Sequence, residues 1–114
     1  MALFRRRGGR PPGPDRAERR AEVEQVKQHL VAFIQAKPGV EAFIEPPTTL
    51  NPPTVLLVAS SGEWTRRRVP DPALIRGLAE DLAVPVYDVQ LVGYPQRMRD
   101  WNDRRKREAK GDPT

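Results

Sequence analysis

Apolar positions in this chain recur first at helical spacing, then at strand spacing, and then in one more alternation of the two. Val23, Val26, Leu30, Phe33 and Ile34 form one stripe, with Glu22, Glu24, Lys27 and Gln28 elsewhere, which predicts an amphipathic helix. Asp15 stands three residues before Glu18, a capping-box-like start, and Lys37-Pro38-Gly39 predicts the end. From Val40 the period shifts to two. Val40, Ala42 and Ile44 share one face of a predicted strand, and Glu41, Phe43 and Glu45 the other. The four prolines of 46–53 hold an extended loop and deny it a ladder of backbone donors. Residues 54–60 form the most apolar run, predicting a central strand covered on both faces. Ser61-Gly62 then predicts a tight turn into a returning strand over 63–69.

Asp71-Pro72 is a strong helix start, with Asp as the cap and Pro at the first helical position. Leu74, Ile75, Leu78 and Leu82 supply its buried stripe, and Gly77 is expected to permit close packing. A last strand is predicted over 86–92, with Tyr87, Val89 and Leu91 on one face. Tyr94, Met98 and Trp101, at i, i+4 and i+7, predict a C-terminal helix. The order is helix, three strands, helix, strand, basic helix. That predicts a single small α+β domain, a two-layer sandwich of one sheet and its helices. Residues 1–14 are expected to be a disordered basic arm, 15–94 the domain, and 95–114 a basic helix with a frayed tail.

Charge changes this picture, because it is sorted along the chain. Residues 1–20 carry seven arginines against two acids, a net of +5, and 97–114 carry seven cations against four acids, a net of +3. With a formal total of +5, the middle is left at −3. Cations gathered into flanking segments are the footprint expected of a polyanion binder, since they release condensed counterions on meeting phosphates. The chain has no cysteine, which excludes disulfides, thiolate metal sites and thiol catalysis, and fits a cytoplasmic protein. Met1-Ala2-Leu3-Phe4 precedes Arg5, Arg6 and Arg7, the reverse of a signal peptide's order. No window approaches the ~20 apolar residues of a membrane span.

Catalytic patterns find little support. The helix–strand order also occurs in restriction-endonuclease-like cores, where metal chemistry needs an acid on the second strand and an acid-x-Lys on the third. Residues 54–60 contain no acid, and Glu63 is followed by Trp64, Thr65 and Arg66. His29 is the only histidine, Ser60-Ser61 has no base beside it, and neither a Gly-x-Gly-x-x-Gly nor a Walker-type sequence is present. Glu41, Glu45 and Asp88 are the carboxylates an unrecognised enzyme would use. No catalytic residue, metal ligand or cofactor is assigned.

Two basic–aromatic groupings carry the functional expectation. Trp64, Arg66 and Arg68 alternate onto one face of the third strand, a platform on which bases stack while phosphates pair with the rim. The competing role for these arginines is protection of a strand edge against association. The Tyr94, Met98 and Trp101 stripe either docks on its own domain or meets a protein partner in helix-in-groove fashion, with Arg97, Arg104 and Arg105 on other faces. Three segments, Val40 to Pro46, Gly62 to Pro70 and Pro85 to Arg99, together resemble a family of small uncharacterised actinobacterial proteins. The resemblance spans about residues 20–105. It implies a cytoplasmic bacterial protein and supplies no activity to transfer.

The expectation is therefore a non-catalytic module that contacts nucleic acid or a ribonucleoprotein. Its expected contacts are Arg5, Arg6, Arg7, Trp64, Arg66, Arg67, Arg68, Arg97, Arg104 and Arg105. The alternative is a protein-interaction module using the proline-rich loop 46–53 and the Tyr94, Met98, Trp101 stripe. The oligomeric state is left open.

Overall fold

The computed structural model describes residues 16–111. Helix α1 (Arg16–Ala36) leads into strands β1 (Glu41–Glu45), β2 (Thr54–Val58) and β3 (Trp64–Arg68). Helix α2 (Pro72–Asp81) crosses to β4 (Val86–Asp88), and the single-turn α3 (Val89–Val92) and then α4 (Gln96–Ala109) complete the chain. The Asp15 cap and the expected arm at 1–14 lie outside the described residues. Among the described residues no helix is long and apolar enough to cross a membrane.

The sheet order is β3-β2-β1-β4, antiparallel except for β1 and β4, which run parallel. Two short antiparallel connections build β1 to β3 as a meander. The α2 crossover then carries the chain to the opposite edge, as a parallel neighbour of β1 requires. Asp71 caps α2 as expected, accepting the Ala73 amide at 3.0 Å, with Pro72 at the first helical position.

The period-two alternation of β1 and β2 sends side chains into two separate cores. Ala42, Ile44, Val55 and Leu57 pack against Leu30 of α1 and Ile75 of α2. Phe43, Leu56 and Val58 point the other way and pack against Met98 of α4, with Trp64 and Val89 at the margin. The fold is α+β, and α4 covers the sheet face opposite α1 and α2. Burying Phe43, which shares its face with Glu41 and Glu45, follows from that helix. Val55, Leu56, Leu57 and Val58 are all buried, so β2 is the central strand the sequence predicts.

Two expectations are corrected. The strand predicted over 86–92 stops at Asp88, whose Oδ1 accepts the Gln90 amide at 2.8 Å and starts a helical turn instead. A short side chain that satisfies a nearby amide competes with continued strand pairing. Val89 consequently turns into the second core, and Leu91 and Val92 face solvent. Gly77 serves no close approach: a Cβ there would meet nothing within 4 Å.

Candidate nucleic-acid interface

Strand β3 forms one edge of the sheet. The Ala59 amide donates to the Glu63 carbonyl at 2.8 Å and the Val69 amide to the Pro53 carbonyl at 3.0 Å. With the observed register, these bonds turn the backbone of Thr65 and Arg67 inward to β2 and that of Trp64, Arg66 and Arg68 outward. The Arg67 guanidinium folds back and donates to the outward Arg66 carbonyl at 2.8 Å. Charged side chains and a covered carbonyl blunt the edge against strand addition.

Trp64, Arg66 and Arg68 share the α4 face, as the alternation predicts, but they are engaged unequally. Arg66 makes a two-point ion pair with Glu45, Nε to Oε1 at 2.7 Å and Nη2 to Oε2 at 3.0 Å, and its guanidinium lies 5.2 Å from the Trp64 ring centroid. Glu45 also accepts from the Thr54 hydroxyl at 2.5 Å and from the Tyr94 hydroxyl. Partial burial alone would raise its pKa. The hydrogen bonds from Arg66, Thr54 and Tyr94 and the Arg66 charge outweigh that, and the carboxyl sits below its ordinary value. Sequence reasoning missed this hub, because Glu45 reads there as one more polar residue on a sheet face.

The hub gives a definite expectation for stability. Glu45→Ala removes the acceptor shared by three side chains, and is expected to cost about 1.5–3 kcal/mol in urea unfolding. Because folding depresses its pKa, the unfolded chain binds more protons at acid pH. The contribution of Glu45 is complete above its unfolded pKa and is lost as pH falls through the lower folded value. The variant should therefore show a flatter decline of stability in acid than the parent protein.

The other expected basic contacts are also partly committed to the fold. Arg97 pairs with Glu41 at 2.6 Å and donates to the Ala59 carbonyl at 2.9 Å, tying α4 to the end of β2. Arg104 donates to the Ser61 carbonyl at 3.0 Å, and Arg104 and Arg105 each lie 5.8 Å from the Trp101 ring centroid. The Trp64 indole donates to Asn102 Oδ1 at 2.8 Å, fixing a half-buried ring beside α4. Met98 is buried in the second core, so the stripe docks on its own sheet. Tyr94 spends its hydroxyl on Glu45, and Trp101 is half-buried. Glu41, Glu45 and Asp88 do not converge: they hold Arg97, Arg66 and the start of α3, respectively.

Of the expected basic contacts within the described residues, Arg68 on the β3 edge is the one whose side chain is left for a ligand. The Arg68 side chain is exposed and makes no hydrogen bond or ion pair with the described residues, and the same holds for the side chains of Arg16, Arg19 and Arg20 on α1. Arg67 reaches back to His29 of α1, with Nη2 3.2 Å from Nδ1, while His29 Nε2 lies 2.8 Å from the Thr65 hydroxyl. A guanidinium only donates, so Nδ1 accepts and the proton sits on Nε2. Partial burial and the Arg67 charge both lower the His29 pKa. Arg67 and Arg68 line a groove of about 390 Å3 against Glu22 and Val26 of α1. Arg68 also borders a second basin of about 420 Å3, with Arg66 and Glu45 on its other side. Arg5, Arg6 and Arg7 lie outside the described residues. Comparison with protein-family models, curated proteins and solved structures finds no match, so the placement of these side chains carries the functional reading.

Proposed function

We propose that this is a cytoplasmic, non-catalytic module that binds nucleic acid or a ribonucleoprotein through phosphate contacts along the β3 edge and α1. The observation that carries the reading is an uncommitted guanidinium, that of Arg68, set between two concavities. Arg68 borders two concavities, Arg67 lines one of them, and Arg16, Arg19 and Arg20 line a separate depression between α1 and Leu74 of α2. Guanidinium groups held on a rigid strand meet phosphate oxygens at little ordering cost. Stacking on Trp64 contributes less than the sequence suggests, because that ring is pinned to Asn102 and covered by Arg66. The protein-partner alternative keeps one support, the Leu50 side chain, 90% exposed at the tip of the proline-rich loop.

The test is binding of labelled single-stranded RNA and DNA over a range of salt concentrations. Affinity is expected to fall linearly on a double-logarithmic plot. Replacing Arg67 and Arg68 together by glutamate should weaken binding at least about tenfold and reduce the slope by about 1.4, two phosphate contacts' worth. Affinity indifferent to salt and to this double reversal would overturn the reading.

A further inference from the structure

The basin beside Arg68 is chemically unlike the groove on its other side, and we propose that it takes one nucleotide of a single strand, base inward and phosphate on Arg68. This inference rests on the nucleic-acid reading above and names the form of ligand. The floor is already satisfied: Glu45 accepts two hydrogen bonds from Arg66, one from Thr54 and one from Tyr94, which fills its acceptor sites. A cationic ligand gains no acceptor there. Above the floor stand two carboxamides from different elements, Asn51 of the proline-rich loop and Gln90 of α3. Neither side chain hydrogen-bonds to a described residue, although both backbones are held. The Asn51 carbonyl accepts the Thr48 amide at 2.8 Å, its amide donates to the Thr48 hydroxyl at 3.0 Å, and the Gln90 amide donates to Asp88.

Each free carboxamide offers a donor and an acceptor side by side, the pattern that matches the polar edge of a nucleobase. Pro46, Val89 and the Tyr94 ring supply apolar surface beside them, and Arg68 supplies a cation at the border with the groove. Inorganic phosphate would leave the carboxamides unused, and an apolar ligand would leave both them and the Arg68 guanidinium unused. A nucleotide uses all of these features. The volume of about 420 Å3 lies within the range of small-ligand clefts. A base reaches a concave site only when it leaves the stack, so the basin selects single strands over duplexes. The loop prolines and the Thr48–Asn51 backbone bond fix one wall before the ligand arrives, which limits the ordering cost of binding.

The experiment compares a short single strand, the duplex of the same sequence and a mononucleotide, with the parent protein and the Asn51→Ala/Gln90→Ala double variant. Anisotropy of the labelled strands, with the mononucleotide as competitor, reads all three. The parent protein is expected to favour the single strand over the duplex about tenfold. The double variant should lose that preference while keeping its duplex affinity and its melting temperature, since neither side chain is bonded within the described fold. Equal affinity of the parent for single strand and duplex, or a preference untouched by the double variant, would overturn the basin and leave the phosphate reading standing. A mononucleotide that competes as well as the strand would assign the basin to free nucleotides and overturn the strand inference. Absence of binding to any of the three would overturn both readings.

Discussion

Gly62→Ala is expected to be the most damaging small substitution in the described chain. Gly62 is buried in the β2–β3 turn with φ +95°, a conformation that L side chains rarely adopt. A Cβ there would lie 2.1 Å from the Arg97 carbonyl oxygen and 2.8 Å from its carbon, both backbone atoms of α4. The clash has no flexible side chain to absorb it, so either the turn or the helix has to move. Strain at the turn and loss of helix packing should together cost roughly 3–5 kcal/mol, a large part of the stability of a small domain. Chemical denaturation measures the loss. Because α4 covers Trp64 and carries Trp101, tryptophan emission should also shift to the red as the helix lifts. A loss below about 1 kcal/mol would mean that α4 does not press on this turn. Gly77→Ala provides the contrast: exposed within α2 and touching nothing, it should stabilise by up to about 1 kcal/mol through helix propensity.

Leu56→Ala should cost about 3 kcal/mol, within the usual range for a fully buried leucine. Its side chain is 0% exposed and sits between Phe43 and Val58 of the sheet and Met98 of α4. The second core is thin, with few buried residues to close over a cavity, and the helix above it is fixed at both sides by Arg97 and by the Trp64–Asn102 bond. Those restraints limit collapse into the space, which keeps the penalty from falling to that of the lost transfer energy alone. Urea unfolding of Leu56→Ala beside Arg97→Ala would test the coupling. If α4 docks as a unit, the two losses should not add.

Much of the fold is legible in the residues. The stripe of α1, the continuous apolar run of β2 and the Asp71-Pro72 start of α2 each announce an element through a local rule, and each element forms. The last strand does not run as predicted, because a single hydrogen bond from Asp88 decides between strand and turn. The apolar alternation of 86–92 suits a strand, while the capping chemistry of Asp88 suits a helix start, and a sequence window holds both signals at once. The C-terminal stripe was legible as a stripe, but not its destination. Tyr94, Met98 and Trp101 suit an intramolecular core as well as a partner's groove.

The candidate site is where the sequence is least sufficient. Runs such as Arg66-Arg67-Arg68 show how much charge is present and on which face of a strand it falls, since alternation is a local property. Whether an arginine is free depends on residues distant in the chain. Arg66 meets Glu45 across β2, Arg97 of α4 meets Glu41 on β1, and Arg104 meets the turn at Ser61. By itself the sequence determined the element types up to Asp88 and that of the C-terminal helix, the central strand, the two-faced alternation and the basic character of the molecule, because each follows from periodicity, capping and composition. Only the tertiary structure decided that α4 closes the second face, that Glu45 gathers three side chains, and that Arg68 remains uncommitted beside a polar basin. Those are outcomes of sheet order and of helix docking, in which residues far apart in sequence compete for the same few partners.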